Sequence, residues 1–313
     1  MASEILSGLV RANLWASAAV IVVLALRTPV ARRLGARAAY ALWVAAPLAG
    51  AACLIPARVI TLHQTAAGVR EAATAMRASY APSPVALSHL TSDLFGTSLG
   101  VLATAVWALG AILWAAAVVW RQHQFHRALG PLRREAGVYR AQAAGVGPVL
   151  MGAFRPRIVV PADFEARFTA EEQVVVLAHE EAHLRAGDHL VNVAVAGLQG
   201  LCWFNPLAHI AAHCLRVDQE LACDAAVLAR HPRARRVYGE AMLKTQFAGL
   251  AAPLACQWPA VGPNPLKRRI AMLRAAAPSA PRRLAGLALA AAFSLGAGVA
   301  AWAAQPPQVQ TVI

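Results

Sequence analysis

Four stretches of this chain contain no Asp, Glu, Lys or Arg and are dominated by apolar side chains: residues 12–26, 38–57, 94–120 and 284–313. A helix crosses the hydrocarbon of a bilayer with about 20 apolar residues, and nothing except a helix or a closed barrel satisfies its own backbone there. The last three windows reach that length outright. The first reaches it by taking in Ile5 to Val10 and tolerating Arg11, whose long side chain can extend to the interface. The sequence therefore predicts a mainly helical integral membrane protein with four transmembrane helices. Its composition agrees, with 58% hydrophobic and 14% charged residues where about a quarter charged is usual for a soluble protein. A cleaved signal peptide is the weaker reading of the first window, because Met1 to Val10 carries Glu4 and no basic residue.

Basic residues near membrane ends are retained on the cytoplasmic side. The connection between the first two windows holds Arg27, Arg32, Arg33 and Arg37, and the stretch after the third opens with Arg121, Arg127, Arg133 and Arg134. The longer 58–93 loop holds only Arg58, Arg70 and Arg77. The N-terminus and the 58–93 loop are thus expected outside, with residues 121–283 in the cytoplasm. Three parts follow: a three-helix membrane region over 1–120, a cytoplasmic domain over 121–283, and a fourth span with a short external tail over 284–313. The cytoplasmic part carries 21 basic and 12 acidic residues, most of the net charge of +14. That excess anchors topology and meets anionic lipid. No Arg-rich run is interleaved with aromatic residues, so direct nucleic-acid binding is not expected. Five cysteines at irregular spacing, without a CxxC pair, exclude a disulfide scaffold.

The cytoplasmic part holds the chemistry. Glu171 to Arg185 opens with acidic residues, is apolar in its middle and closes on Arg, the charge order a helix dipole favours. Within it lies His179-Glu180-Glu181-Ala182-His183. Residues four apart share a helical face, so both imidazoles can meet one metal ion while Glu180 reaches its open side. Zinc held by two His needs a third protein ligand and an open position. Glu220 is the best candidate, in the helical stretch Leu215 to Leu228. Asp224, one turn on, is placed to accept a hydrogen bond from a ligating imidazole. HExxH followed by ExxxD is the plan of glutamate-type zinc proteases, which predicts an α+β, gluzincin-like domain. Glu180 is then the catalytic base, with His179, His183 and Glu220 as zinc ligands.

Other residues read as structural. His209 and His213 are four apart, but no Glu follows His209, so they are ordinary helix residues. Asp188 and Asn205 look like helix N-caps, and Asp218 and Glu181 like solvent-facing or ion-paired groups. Ile158-Val159-Val160-Pro161 resembles an edge strand ended by proline, to which an extended peptide could add a strand. Arg216 and Tyr238 are candidates for a second oxyanion donor.

The order GAFRPRIVVP (152–161), AHEEAHLRAGDHL (178–190), WFNPL (203–207), LRVDQELACD (215–224), Tyr238 and LKRRIAML (266–273) resembles the BlaR/MecR-type bacterial membrane metallopeptidases, the beta-lactam sensor-transducers. The resemblance implies a zinc metalloendopeptidase of the bacterial inner membrane that cleaves a cytoplasmic DNA-binding repressor, with His179, His183 and Glu220 on the metal and Glu180 as base. A second copy of the chain and a separate sensor protein are further candidate partners. Two departures stand out. The sensors of that family continue past the fourth span into an extracellular penicillin-binding domain, which is not expected here, and His209 replaces an aromatic residue after WFNPL. Competing expectations are a quality-control or prenyl-protein protease of the same zinc plan, and a catalytically silent transducer or scaffold.

Overall fold

A computed structural model describes residues 2–63, 86–245, 254, 256–257, 263–274 and 277–312. Most of the 58–93 loop, residues 64–85, lies outside the described residues. In chain order the elements are α1 (Ala2–Leu34), α2 (Ala36–Ala41), a 3₁₀ turn (Leu42–Val44), α3 (Ala45–Ala52), β1 (Val59–His63) and α4 (Ala86–Leu129). There follow β2 (Arg133–Glu135), β3 (Val138–Arg140), β4 (Val149–Met151), β5 (Arg157–Val160), α5 (Phe164–Arg167), α6 (Ala170–Ala186), α7 (Asp188–Leu201) and α8 (Pro206–Arg230). The chain closes with α9 (Arg235–Lys244), β6 (Cys256–Gln257), α10 (Pro263–Arg274), α11 (Ala280–Ala303) and β7 (Gln308–Val312).

Three helices among the described residues are long and apolar enough to cross a membrane: Leu6–Leu34, Leu99–Leu129 and Ala280–Ala303. They correspond to the first, third and fourth charge-free windows. The 38–57 window, expected as a span, is broken into α2, the 3₁₀ turn and α3 and does not form one continuous helix. At its start Ala38 and Ala39 are buried, and just before it Ala36 packs with Val217 and Leu221 on α8. Apolarity here serves packing against protein as well as lipid.

The contacts divide the chain into two compact units, residues 1–19, 44–109 and 293–313 in one and residues 20–43 and 110–292 in the other. In the first, β1 and β7 pair in parallel, Val59 opposite Gln308. Gln305 Nε2 donates to the Ala52 carbonyl at 3.0 Å and Trp302 Nε1 to that of Pro56 at 3.0 Å. These bonds close the end of α3, whose last carbonyls have no helical partner.

The second unit carries a five-stranded sheet in the order β2-β3-β5-β4-β6. β5 lies in its middle, parallel to β3 and antiparallel to β4, so Ile158 to Val160 is not the edge expected from Pro161. The proline sits one residue past the ladder and removes no bond, and the Val160 carbonyl still accepts from Ala141 N at 2.9 Å. β4 meets β6 antiparallel, Leu150 opposite Cys256. Phe164, Phe168, Val175, Val176, Val227, Tyr238, Met242 and Leu273 form a buried core that joins α6 to α8, α9 and α10. This core fixes the relative positions of the two helices that carry the HExxH and ExxxD motifs.

Candidate metal centre

α6 begins with a capping box: Thr169 Oγ1 accepts from Glu172 N, and the Glu172 carboxylate accepts from Thr169 N at 2.8 Å. It ends at Gly187, whose φ of 73° is a left-handed conformation that suits glycine. Between these two ends the helix presents His179 and His183 on one face, both without solvent exposure. α8 begins at the Asn205 cap, where Asn205 Oδ1 accepts from Leu207 N at 2.9 Å and Pro206 fills the first turn. Fifteen residues on, it delivers Glu220 to the same point.

His179 Nε2 and His183 Nε2 are 3.0 Å apart. Glu220 Oε2 lies 3.3 Å from His179 Nε2, and Glu220 Oε1 lies 3.4 Å from His183 Nε2. Three donors at about 2.05 Å from a tetrahedral ion are separated by about 3.3 Å, so the triangle has the dimensions of a zinc site. His179, His183 and Glu220 make up one of two such groups among the described residues. The other, His183, Asp188 and Cys223, shares His183 and lies behind its ring.

Each imidazole is held from behind. Asp188 Oδ2 accepts from His183 Nδ1 at 2.6 Å, which leaves the Nε2 lone pair for a metal. His179 Nδ1 donates to Tyr238 Oη at 2.8 Å, and Tyr238 in turn donates to Asp224 Oδ1 at 2.6 Å. Arg269, 2% exposed, grips Asp224 through Nε and Nη2 at 2.8 and 2.7 Å, and reaches Glu220 Oε2 with Nη1 at 2.8 Å. Asp224, expected to accept from an imidazole, reaches His179 mainly through Tyr238. Tyr238 is fully buried behind the ring, so it is not the oxyanion donor expected.

Asp188 corrects a further expectation. It does not cap α7, whose cap residue is Gly187 with no side-chain bond. Its Oδ1 instead accepts from Tyr40 Oη at 2.8 Å, and Tyr40 Oη accepts from Gln219 Nε2 at 3.0 Å. Asp218, 3% exposed, is ion-paired rather than solvated. It takes Arg27 Nε and Nη2 at 2.7 Å each and Trp43 Nε1 at 2.8 Å. The polar ends of α1 and α2 thus bond to the residue behind His183 and to the turn before Glu220. Glu181 is exposed and pairs with Arg185. His209 is a helix residue, bonded through Nε2 to the Trp203 carbonyl at 2.9 Å and through Nδ1 to Gln199 at 3.2 Å.

Burial would raise the Glu220 carboxyl, but Arg269 and the two imidazoles hold it well below the usual range. Burial lowers His179, with Glu220 partly opposing. Both shifts favour the deprotonated forms that could bind a metal. Glu180 differs. It is fully buried, neither oxygen has a hydrogen-bond partner, and burial pushes its carboxyl up to about 8. The Leu150 backbone on β4 is close enough to oppose that rise. A buried carboxyl with free lone pairs beside a metal-sized triangle is suited to exchange a proton with a small polar molecule.

Residues 7–273 match the model of the BlaR1 peptidase M56 family. A stretch of 98 residues is 36% identical to the regulatory protein BlaR1 of Bacillus licheniformis. That stretch is 31% of this chain and spans only 16% of the relative.

Proposed function

The chain belongs to the BlaR1 peptidase M56 family, a family of metal-dependent membrane peptidases, and on that premise we propose an integral-membrane zinc metalloendopeptidase acting in signal transduction. Its substrate is a cytoplasmic protein, a cognate transcriptional repressor, and residues 121–283 carry the peptidase on the cytoplasmic side. The observation that carries this reading is the donor triangle of His179, His183 and Glu220, with sides of 3.0 to 3.4 Å, beside the unpartnered carboxyl of Glu180.

Zinc bound there supplies a Lewis acid that polarises the scissile carbonyl and makes water acidic enough to attack near neutral pH. Glu180 accepts the attacking water's proton and passes it to the leaving amine. Asp188 and the Tyr238–Asp224 pair keep each imidazole proton on Nδ1. An extended polypeptide suits this site because β4, whose Leu150 lies beside Glu180, pairs with the short segment Cys256–Gln257 of the chain itself. β4 is paired on both sides, by β5 and by β6, so a protein substrate takes this place by main-chain bonds only where it displaces Cys256–Gln257.

The test compares protein N-termini across the proteome in cells making the wild type or Glu180→Ala, with and without a cell-wall antibiotic. One or a few new termini that depend on Glu180, among them one in a small DNA-binding protein, are expected. Many termini in membrane proteins would point to quality control instead. None, with stoichiometric zinc in the purified protein, would refute cleavage as the output.

A further inference from the structure

Residues 189–215 also lack Asp, Glu, Lys and Arg, yet they lie inside the part assigned to the cytoplasm. They form α7 and the first ten residues of α8, joined by the turn Cys202 to Asn205. α7 buries Asn192, Val195, Ala196, Gln199 and Gly200. Its opposite face exposes Leu190, Leu198 and Leu201 at 50, 41 and 47%, and beyond the turn Phe204 and Ile210 are 52 and 47% exposed. A soluble domain does not usually leave so continuous an apolar face in water.

The hairpin's partner shows what covers that face. Trp203 lies so close to α4 that a Cβ on Gly110 would stand 2.2 Å from its ring, and a Cβ on Gly200 would meet Trp114 at 3.0 Å. Trp114 Nε1 donates to the Ala196 carbonyl at 3.2 Å. These contacts fall inside the charge-free window of α4, which ends at Arg121. At 1.5 Å per residue, Trp114 lies about 10 Å and Gly110 about 16 Å from Arg121 along the helix. The hydrocarbon is about 30 Å thick. The tip of the hairpin is therefore about as deep as the middle of the span it packs on. Around it, α4 exposes Leu109, Ile112 and Leu113 at 56, 64 and 60%.

A turn at such depth must satisfy its own polar groups. Cys202 N donates to the Leu198 carbonyl at 2.9 Å and Asn205 N to that of Cys202 at 2.8 Å. Asn205 Oδ1 takes Leu207 N, and the Trp203 carbonyl takes His209 Nε2 at 2.9 Å. His209, the departure from the family's aromatic residue, thus supplies a bond that an aromatic hydrocarbon ring would not.

We infer that the α7–α8 hairpin is a re-entrant membrane element, inserted beside α4 with its tip near the middle of the bilayer and its exposed face in contact with lipid chains. Its base carries Asp188 and Asp218, each bonded to the cytoplasmic ends of α1 and α2, which sets the metal centre at the membrane surface. A substrate bond must then be brought to that surface to be cut. The inference rests on α4 as a span and is independent of peptidase activity.

The test uses the full-length wild-type protein in phosphatidylcholine–phosphatidylglycerol vesicles containing a lipid with a diazirine at its acyl-chain end, followed by photolysis and peptide mapping. Residues 198–210 are expected to be labelled within about twofold of residues 109–113 on α4, while residues 171–185 of α6 stay unlabelled. Labelling of 198–210 no higher than that of 171–185 overturns the inference. Photo-crosslinking by a diazirine amino acid at position 204 separates the alternatives. Lipid adducts support insertion, and adducts to a second copy of the chain overturn it.

Discussion

Replacing Glu180 by Gln is expected to abolish hydrolysis and, less obviously, to stabilise the metal-free protein. The side chain is fully buried and both its oxygens lack partners. Its carboxyl is raised from 4.5 to about 8. At pH 7 the carboxyl is ionised in the unfolded chain and protonated in the folded one. The interval from 4.5 to 7 corresponds to about 3 kcal/mol at roughly 1.4 kcal/mol per pH unit. A group raised in the folded state contributes its full stability below 4.5 and loses it as pH climbs through about 8, so the cost of Glu180 grows with pH across this window. Gln has the same shape and no charge at any pH, and escapes the cost. About 3 kcal/mol corresponds to a rise of roughly 6–12 °C in Tm for a unit of this size. Thermal unfolding followed by tryptophan fluorescence, in detergent with chelator, at pH 5, 7 and 8.5, checks this. The gap should be smallest at pH 5 and should narrow when zinc is added, because a cation favours the carboxylate. A Gln variant that melts at or below the wild type at pH 7, or a gap indifferent to pH, would refute the reasoning.

Three further outcomes are expected. Asp188→Asn removes the acceptor behind His183 and should weaken zinc binding about 10- to 100-fold in a chelator competition, with Tyr40→Phe smaller but in the same direction; an Asp188→Asn value within about twofold of wild type would show that His183 is oriented without it. Arg27→Leu leaves Asp218 buried with only Trp43 and should cost about 3–5 kcal/mol, most of it recovered when Asp218→Leu is added; a double variant no more stable than the single one would remove the ion pair from the account. Zinc affinity should fall on acidification as protons compete for the imidazoles, but, since burial lowers His179, the fall should begin below the ordinary imidazole value of about 6.5. Loss already under way at pH 8 would contradict that environment.

The parts of this protein that were legible in its sequence are those fixed by short spacing. His179 and His183 meet because four residues make one turn, and Glu220 followed because its own helix shows in the apolar spacing of Val217, Leu221 and Leu228. What surrounds these three side chains comes from far along the chain. Tyr40 reaches Asp188 across 148 positions, Arg27 reaches Asp218 across 191 and Arg269 reaches Asp224 across 45. Spacing carries no trace of such contacts. An acidic residue before a helix can cap it or reach back along the chain; the left-handed Gly187 reverses the chain, and the Asp188 carboxylate meets His183.

The charges gathered around the metal site give a separate argument for what fills it. Four carboxylates are buried there, Asp188, Asp218, Glu220 and Asp224, and two buried guanidiniums, Arg27 and Arg269, face them. Glu180, at about 8, keeps its proton at neutral pH, and His179 is held neutral by burial. The formal balance, four negative against two positive, is minus two. Burying net charge is costly unless it is compensated, and among the described residues the donor atoms of His179, His183 and Glu220 converge within this cluster. A single divalent cation at that point brings the cluster to neutrality. A dication is therefore called for by charge as well as by distance. Glu180, the proposed base, stands beside that point with its carboxyl raised to about 8 mainly by burial, and a cation next to it favours the carboxylate.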